Sequence, residues 1–348
     1  MNQRTNEQPQ ATELITEPTQ VLSSSLANPS SAGSVSTSSK TSLLAGTTHN
    51  LRQLSPKTIR QTRPTFWGLV QHLFVFMVLG LALIAAVVFF IQTAVGQQLD
   101  EISFNEFSFQ FLSLQTQTSQ MLDLIPAFAG ITAVIGMIFV LLWKHRFVPA
   151  LVGLSVAAAA NLSSQLLKNY LITKPNFGIQ EATMNSAPSG HTTFAAAAGA
   201  ALFLASPKKL RPLVAVIGAV FTSAAGFSTI VNGWHRPADV ITAILLTSMW
   251  TVVGLTILRF LRSEELDLSD THRSGLILIP LLTIGGFFLG FCSLALYVMT
   301  YYNPIPGGAL IASSFMMLTV IAFTTAAEIA LLRTRNKARS AYTKIWTY

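Results

Sequence analysis

Long apolar runs recur along this chain from residue 66 onwards, and they constrain its fold more than any other feature of the sequence. A membrane-spanning helix needs about 18 to 20 consecutive, predominantly apolar residues. Only 10% of the residues are charged, against about a quarter in soluble domains. The predicted fold class is therefore all-α, a polytopic helical membrane protein. We predict eight spans, at residues 66–94, 125–143, 147–167, 191–206, 211–229, 237–258, 276–300 and 309–332.

The first 62 residues differ in composition from the rest of the chain. They are rich in Ser, Thr, Gln and Asn and contain few large apolar side chains, so burial cannot offset the entropy of ordering them. We expect a disordered cytoplasmic tail at 1–62. The remainder divides into two helices with an acidic outer loop at 63–146, a core with the polar motifs at 147–260, and a further helix pair with a basic carboxyl terminus at 261–348.

Basic residues predict the orientation of the spans. They cluster before the first span and after the second, fourth, sixth and eighth, which is the same side if every span crosses once. The positive-inside rule then places both termini in the cytoplasm, so the net charge of +8 does not indicate a nucleic-acid partner. The opposite side holds only three basic residues, Lys168, Lys174 and Arg236. Their concentration there predicts a phosphate site on the extracytoplasmic face of a cell membrane.

The sequence Pro188-Ser189-Gly190-His191 directly precedes an apolar helix. The first N–H groups of a helix are unpaired and carry the positive end of its dipole, so they stabilise an anion. Ser189 and Gly190 are therefore candidate phosphate-binding residues, and His191 is a candidate proton donor to a leaving oxygen. The alternative is that Ser189 only caps the helix and that His191 is an interfacial polar residue.

His235 and Asp239 are four residues apart, with Pro237 between them. If Pro237 occupies the first turn of a helix, the two side chains lie on one face. The carboxylate can then hold one imidazole nitrogen and leave the other free to attack phosphorus. The alternative is a helix-start pair that serves stability alone. Lys168 and Lys174 would bring positive charge to the same place, although lone lysines at the ends of spans often only reach for the membrane surface.

These blocks resemble the signature of the type 2 phosphatidic acid phosphatase superfamily, which includes bacterial lipid phosphatases and undecaprenyl-diphosphate phosphatases. The family pattern is Lys followed by Arg-Pro, then Pro-Ser-Gly-His, then Ser-Arg with a downstream His-xxx-Asp. The resemblance covers predicted spans three to six. It implies that His235 is the nucleophile, that Asp239 orients it and that His191 is the general acid. The phosphate-binding residues that it implies are Lys168, Lys174, Ser189 and Gly190.

Two positions depart from the family pattern. Lys174 stands where the family has Arg, one residue closer to Lys168 than usual, and it keeps the charge but loses the bidentate fork. Thr229 stands where an Arg is expected after Ser228, so one phosphate ligand is missing. We hypothesise that Arg236, next to the nucleophile, replaces it.

Metal and cofactor chemistry is not expected. Glu181 and Asp239 are the only acidic residues predicted near the site, too few for a magnesium cage, and the sequence contains no P-loop and no Cys/His zinc spacing. The single cysteine, Cys292, excludes an intrachain disulfide. The resemblance likewise implies a metal-independent enzyme without a cofactor.

The last two predicted spans contain little polar chemistry. Gly286 and Gly290 have a spacing that allows close helix packing. Glu328 lies towards the inner end of the last span, and we expect it to pair with Arg333 or to reach the interface rather than to carry protons.

Two functions from different classes fit this sequence. The leading hypothesis is a lipid phosphatase that acts on a polyprenyl diphosphate or a phosphatidate-like lipid, with the lipid tail remaining in the bilayer. The alternative is a catalytically degenerate relative that binds or transports phospholipids, which the departures at Lys174 and Thr229 favour. The complete set of His191, His235 and Asp239 favours the enzyme.

Overall fold

A computed structural model describes residues 65–112, 127–128, 130–138, 141–142, 145–266 and 274–333. These ranges contain helices and no strand, which confirms the predicted all-α class. The expected disordered tail at 1–62 and the chain beyond residue 333 lie outside the described residues. In chain order, the helices are α1 (Phe66–Ala86), α2 (Ala94–Gln110), α3 (Phe147–Leu166), α4 (Gly190–Ala205), α5 (Arg211–Val231), α6 (Pro237–Leu261), α7 (Ser263–Leu266), α8 (Ser274–Tyr302) and α9 (Gly308–Leu331).

Six of the described helices, α1, α3, α5, α6, α8 and α9, are long and apolar enough to cross a membrane. Helices α1 and α3 are extended by π-helical turns at Val87–Ile91 and Leu167–Leu171. The predicted fourth span is α4, an apolar helix of only 16 residues. The predicted second span, 125–143, is helical where it is described. The expected number of eight spans is therefore not confirmed, although six of them are found.

Helix α6 forms the centre of the bundle. It is the most buried of the six long helices, and it contacts α1, α3, α4 and α9. Small residues permit these contacts, since a Cβ on Gly254 would lie 2.7 Å from Leu204 and 2.8 Å from Val156. Helices α8 and α9 pack on each other in the same manner, because Gly286 lies against the ring of Phe323, which its spacing with Gly290 allows.

One end of the bundle carries buried and partly buried arginines that bind the carboxyl ends of helices. The side chain of Arg146 donates to the carbonyl of Ala205 at 2.8 Å, and that of Arg259 donates to Leu331 at 2.8 Å. Arg211 is fully buried at the same end. Unpaired carbonyls and the negative end of the helix dipole favour a cation there. Several basic residues that the sequence predicts on one side of the membrane therefore lie together at one end of the bundle.

The expected acidic loop after the first span is instead the helix α2, which contacts α5 and α9. Its amino terminus is capped by Thr93, whose hydroxyl accepts from the N–H of Gly96 at 3.0 Å. Acidic side chains on this helix accept hydrogen bonds from backbone N–H groups at the start of other helices. The carboxylate of Glu106 accepts from the N–H groups of Gly307 at 2.9 Å and Leu310 at 2.7 Å. Helix α2 is thereby held over the end of the bundle opposite to the arginines.

Candidate active site

The starts of α4 and α6 meet at this opposite end. The backbone N–H of Ser189, just before α4, donates to the carbonyl of Asp239 in the first turn of α6 at 2.9 Å. Two helix amino termini are thus side by side, and each carries the positive end of a helix dipole. This arrangement favours an anion between them.

Ser189 is the residue that caps α4. Its hydroxyl accepts from the backbone N–H of Thr192 at 3.3 Å and from the Thr192 hydroxyl at 3.1 Å, and the residue is fully buried. Capping, the alternative considered for this hydroxyl, is therefore what the structure shows. A Cβ on Gly190 would meet only Gln165, at an ordinary 3.7 Å. The absence of a side chain at Gly190 leaves the start of α4 uncovered.

His191 follows directly and is exposed. Its ring centroid lies 5.1 Å from that of Trp234 and 6.4 Å from that of His235. The two imidazoles that the sequence singled out are therefore neighbours across the junction of α4 and α6, and Trp234 covers one side of His191.

His235 and Asp239 form a buried pair at the start of α6. The Nδ1 atom of His235 lies 3.0 Å from Oδ2 of Asp239, and α6 begins at Pro237. The same Oδ2 accepts from the hydroxyl of Ser186 at 2.7 Å and from the backbone N–H of Arg236 at 3.1 Å. Three donors therefore fix the carboxylate, and the carboxylate fixes the ring so that Nε2 points away from it.

Sequence reasoning missed Ser186. It lies 53 positions before Asp239, within a loop whose polar residues have no periodicity that distinguishes one from another. Its neighbour Asn185 binds the carbonyl of Lys168 at 3.0 Å and that of Ala187 at 2.8 Å. The loop is thereby tied to the π-helical turn that carries Lys168.

Thr229, which stands in place of the expected arginine, points into its own helix. Its hydroxyl donates to the carbonyl of Gly226 at 2.8 Å, and the residue is fully buried. Its carbonyl accepts from the N–H groups of Trp234 at 2.9 Å and His235 at 3.2 Å. The turn between them requires the positive φ of Gly233, 71°, which glycine adopts without steric cost. Thr229 therefore positions His235 through its backbone.

Lys174 lies in the loop between α3 and α4, half-buried, and its ammonium group donates to the carbonyl of Ala182. Burial lowers the pKa of Lys174, and the positive charge of Arg236 lowers it further, while Asp239 and Asp100 oppose the shift. Two cations, Lys174 and Arg236, thus share this end of the bundle.

Arg236 is held by α2. Its Nε atom donates to Oε2 of Glu101 at 2.7 Å, and its guanidinium carbon lies 4.9 Å from the centre of the Phe104 ring. Asp100, which precedes Glu101 on α2, accepts a hydrogen bond from the backbone N–H of Ala238 at 3.0 Å. The expectation that only Glu181 and Asp239 provide acidic groups near the site is therefore wrong, because α2 folds over the start of α6.

Burial raises the pKa of Asp100 to about 8, and the negative charge of Asp239 contributes to the rise. Asp100 consequently keeps its proton to a higher pH than an ordinary aspartate, and its carboxyl oxygen accepts the hydrogen bond from Ala238. Within the described ranges, no three His, Cys, Asp or Glu side chains are grouped so that they could hold a metal ion.

Comparison with known proteins identifies one segment of the chain. No curated protein and no solved structure matches the chain. Glu101 and Asp100 lie outside the matched segment, whereas Lys168, Lys174, His191, His235 and Asp239 all lie within it. That segment, residues 149–263, matches the model of the PAP2 superfamily.

Proposed function

We propose that this protein is an integral membrane phosphatase that hydrolyses a lipid phosphate or diphosphate through a phosphohistidine on His235. The observation that carries the proposal is the hydrogen bond between His235 and Asp239, at a junction of two helix amino termini inside the segment that matches the PAP2 superfamily. Members of that superfamily are typically phosphatases.

In the first step, Nε2 of His235 attacks phosphorus while the bond from phosphorus to the leaving oxygen breaks. Asp239 keeps the proton on Nδ1, which stabilises the positive charge that develops on the ring. His191, whose ring centroid is 6.4 Å from that of His235, donates a proton to the leaving oxygen.

In the second step, water attacks the phosphohistidine. His191, now neutral, accepts a proton from this water, and the bond between phosphorus and Nε2 breaks. The product of this step is inorganic phosphate when the substrate is a phosphomonoester, and both histidines return to their initial states. No external oxidant, reductant or other co-reactant is needed.

Negative charge on the phosphoryl oxygens requires donors, and we assign this role to four groups. The uncovered start of α4 at Gly190 provides backbone N–H groups, and Lys168 and Lys174 provide positive charge. Arg236 is the fourth. The described hydrogen bond to Glu101 uses only its Nε, so the terminal nitrogens are the donors that would replace the arginine missing at Thr229.

The substrate class follows from the surroundings of the site. It lies at one end of a bundle of apolar helices, where a phosphate head group can enter while its hydrocarbon chain stays in the bilayer. A polyprenyl diphosphate, as in the undecaprenyl-diphosphate phosphatase-like hypothesis, and a phosphatidate-like lipid both meet this description. The positive-inside bias favours the extracytoplasmic face.

The test is phosphate release by the purified protein in EDTA from polyprenyl diphosphate, phosphatidate and phosphatidylglycerol phosphate. We expect release from at least one lipid and its loss in His235→Asn. His145→Asn, a matched change at the other end of the bundle, should retain activity. Absence of release from every lipid by folded protein would overturn the proposal in favour of a lipid-binding relative, which the buried Thr229 favours.

A further inference from the structure

A second polar site lies inside the bundle, away from the histidines. A partly open cavity of ≈ 50 Å³ lies between α4, α5, α6 and α9, and its lining includes Thr247, Ser248 and Glu328. A water molecule needs about 10–15 Å³ of such a volume, so the cavity can hold a small ion with a few waters. On α4 it begins at Ala196, about two helical turns from the start of the active site.

Glu328 does not behave as the sequence predicted. Among the described residues it forms no ion pair with Arg333, and its carboxyl group is hydrogen-bonded to Ser248. The other described residues that line the cavity are apolar or carry a hydroxyl, so Glu328 is the ionisable group of this lining. An acidic group within a membrane span is costly unless something neutralises it. No described lining side chain supplies the positive charge.

Thr247 provides an independent indication of a ligand-binding site. Its hydroxyl oxygen has no hydrogen-bond partner among the residues that the structure describes, although Thr247 is only 2% exposed. Threonines in membrane helices ordinarily bond a carbonyl in the preceding turn. Two others on α6 do so, Thr242 to Ala238 at 2.9 Å and Thr251 to Thr247 at 2.9 Å. The unused hydroxyl of Thr247 is thus available to a ligand in the cavity that it lines.

We propose that Glu328, Ser248 and Thr247 form an intramembrane site for one monovalent metal cation. Carboxylate and hydroxyl oxygens are hard ligands, which favour hard cations over soft transition metals. A single carboxylate neutralises a single positive charge, whereas Ca²⁺ or Mg²⁺ would retain excess charge within the membrane. A proton alone would neutralise Glu328 but would leave the Thr247 hydroxyl unsatisfied.

The experiment measures thermal unfolding of the purified full chain in NaCl, KCl and choline chloride at equal ionic strength. A ligand that binds only the folded state raises its stability, so the midpoint should be higher in NaCl or KCl than in choline chloride. Glu328→Gln should abolish this difference and Thr247→Val should reduce it. Thr256→Val, the same change on the same helix outside the cavity lining, should preserve it.

A second readout needs no variant. A hydrophobic carbodiimide reacts with protonated carboxyl groups in membranes, and mass spectrometry locates the adduct. At a cation concentration about ten times the dissociation constant, roughly one site in eleven is empty, so labelling of Glu328 should be about tenfold slower. Equal midpoints in all three salts would overturn the proposal. So would a salt effect that persists in Glu328→Gln, or labelling that responds to pH but not to Na⁺ or K⁺.

Discussion

Arg236 and Glu101 lie 135 positions apart in the chain and are joined by an ion pair of 2.7 Å. Both side chains are about nine-tenths buried. Arg236 adjoins the proposed nucleophile, whereas Glu101 belongs to α2, outside the segment that matches the PAP2 superfamily. A helix beyond that segment thus controls the direction of a guanidinium group at the proposed phosphate site.

The first prediction concerns this pair. Arg236→Gln should lower kcat/KM about 10²- to 10³-fold, the usual effect of removing a donor that stabilises charge in a transition state. Glu101→Gln should lower it about tenfold, since the guanidinium remains but loses its anchor. The double variant should resemble Arg236→Gln alone, because both changes act through one group.

The matched control for Glu101 is Glu106→Gln on the same helix, since Glu106 binds the start of α9 rather than the site. Its kcat/KM should be unchanged. Activity of Arg236→Gln equal to that of the wild type would remove Arg236 from the phosphate site.

The second prediction concerns Ser186, whose hydroxyl donates to Asp239 at 2.7 Å. A hydrogen bond to a charged group contributes about 1.5–3 kcal/mol. Ser186→Ala should therefore reduce kcat roughly 10- to 100-fold, with little change in KM, because the carboxylate holds His235 less firmly. Ser223→Ala is the control, since the Ser223 hydroxyl donates to the carbonyl of Ala219 in its own helix. Equal activity in both variants would show that Ser186 does not position the pair.

The third prediction concerns the stability that Asp100 contributes. Because its pKa in the folded protein is raised to about 8, the folded state retains this proton to higher pH than the unfolded state. Its contribution is therefore fully present below about pH 4 and is lost as the pH rises to about 8, with no further change above. Asp100→Asn keeps an acceptor for Ala238 and cannot titrate. The variant's unfolding midpoint should fall less than that of the wild type between about pH 5 and pH 8.

Asp100→Leu separates the hydrogen bond from the titration. Leucine offers no acceptor to the N–H of Ala238, so this variant should be less stable than Asp100→Asn by about 1–3 kcal/mol at neutral pH. Identical pH profiles for the wild type and Asp100→Asn would contradict a raised pKa at Asp100.

The fourth prediction concerns the alkaline limit of activity. Burial and the charge of Arg236 lower the pKa of Lys174, so this side chain loses its positive charge at a lower pH than an ordinary lysine. Arg stays protonated throughout. Lys174→Arg should therefore extend the alkaline limb of the kcat/KM profile, and Lys209→Arg, at the other end of the bundle, should not. If the alkaline limb of Lys174→Arg lies at the same pH as that of the wild type, the charge of Lys174 is not required for activity.

Local patterns in the sequence predicted much of this architecture. Apolar runs located the six long helices, and the spacing of His235 and Asp239 around Pro237 indicated that they share a helix face. These features depend on residues within one or two helical turns of each other. The gathering of arginines at one end also followed, because positive charge is distributed by the side of the membrane.

The contacts that the sequence did not reveal are all long-range. We predicted an acidic loop at residues 94–110, where the structure has a helix. The partners of its carboxylates are Arg236 and the starts of α6 and α9, and only the fold brings these groups near. Ser186 and Glu328 were missed or misplaced for the same reason. Their partners, Asp239 and Ser248, lie on α6, far from them in the sequence.

The most direct test of the central claim is to trap the enzyme–phosphate intermediate with a radiolabelled lipid phosphate that the protein hydrolyses. The reaction is quenched in alkali, in which phosphohistidine persists, and the labelled peptide is sequenced. Wild-type protein should carry the label on His235, and His235→Asn should neither be labelled nor release phosphate. Release of phosphate by His235→Asn at the wild-type rate, with no label trapped on the wild type, would contradict nucleophilic attack by His235.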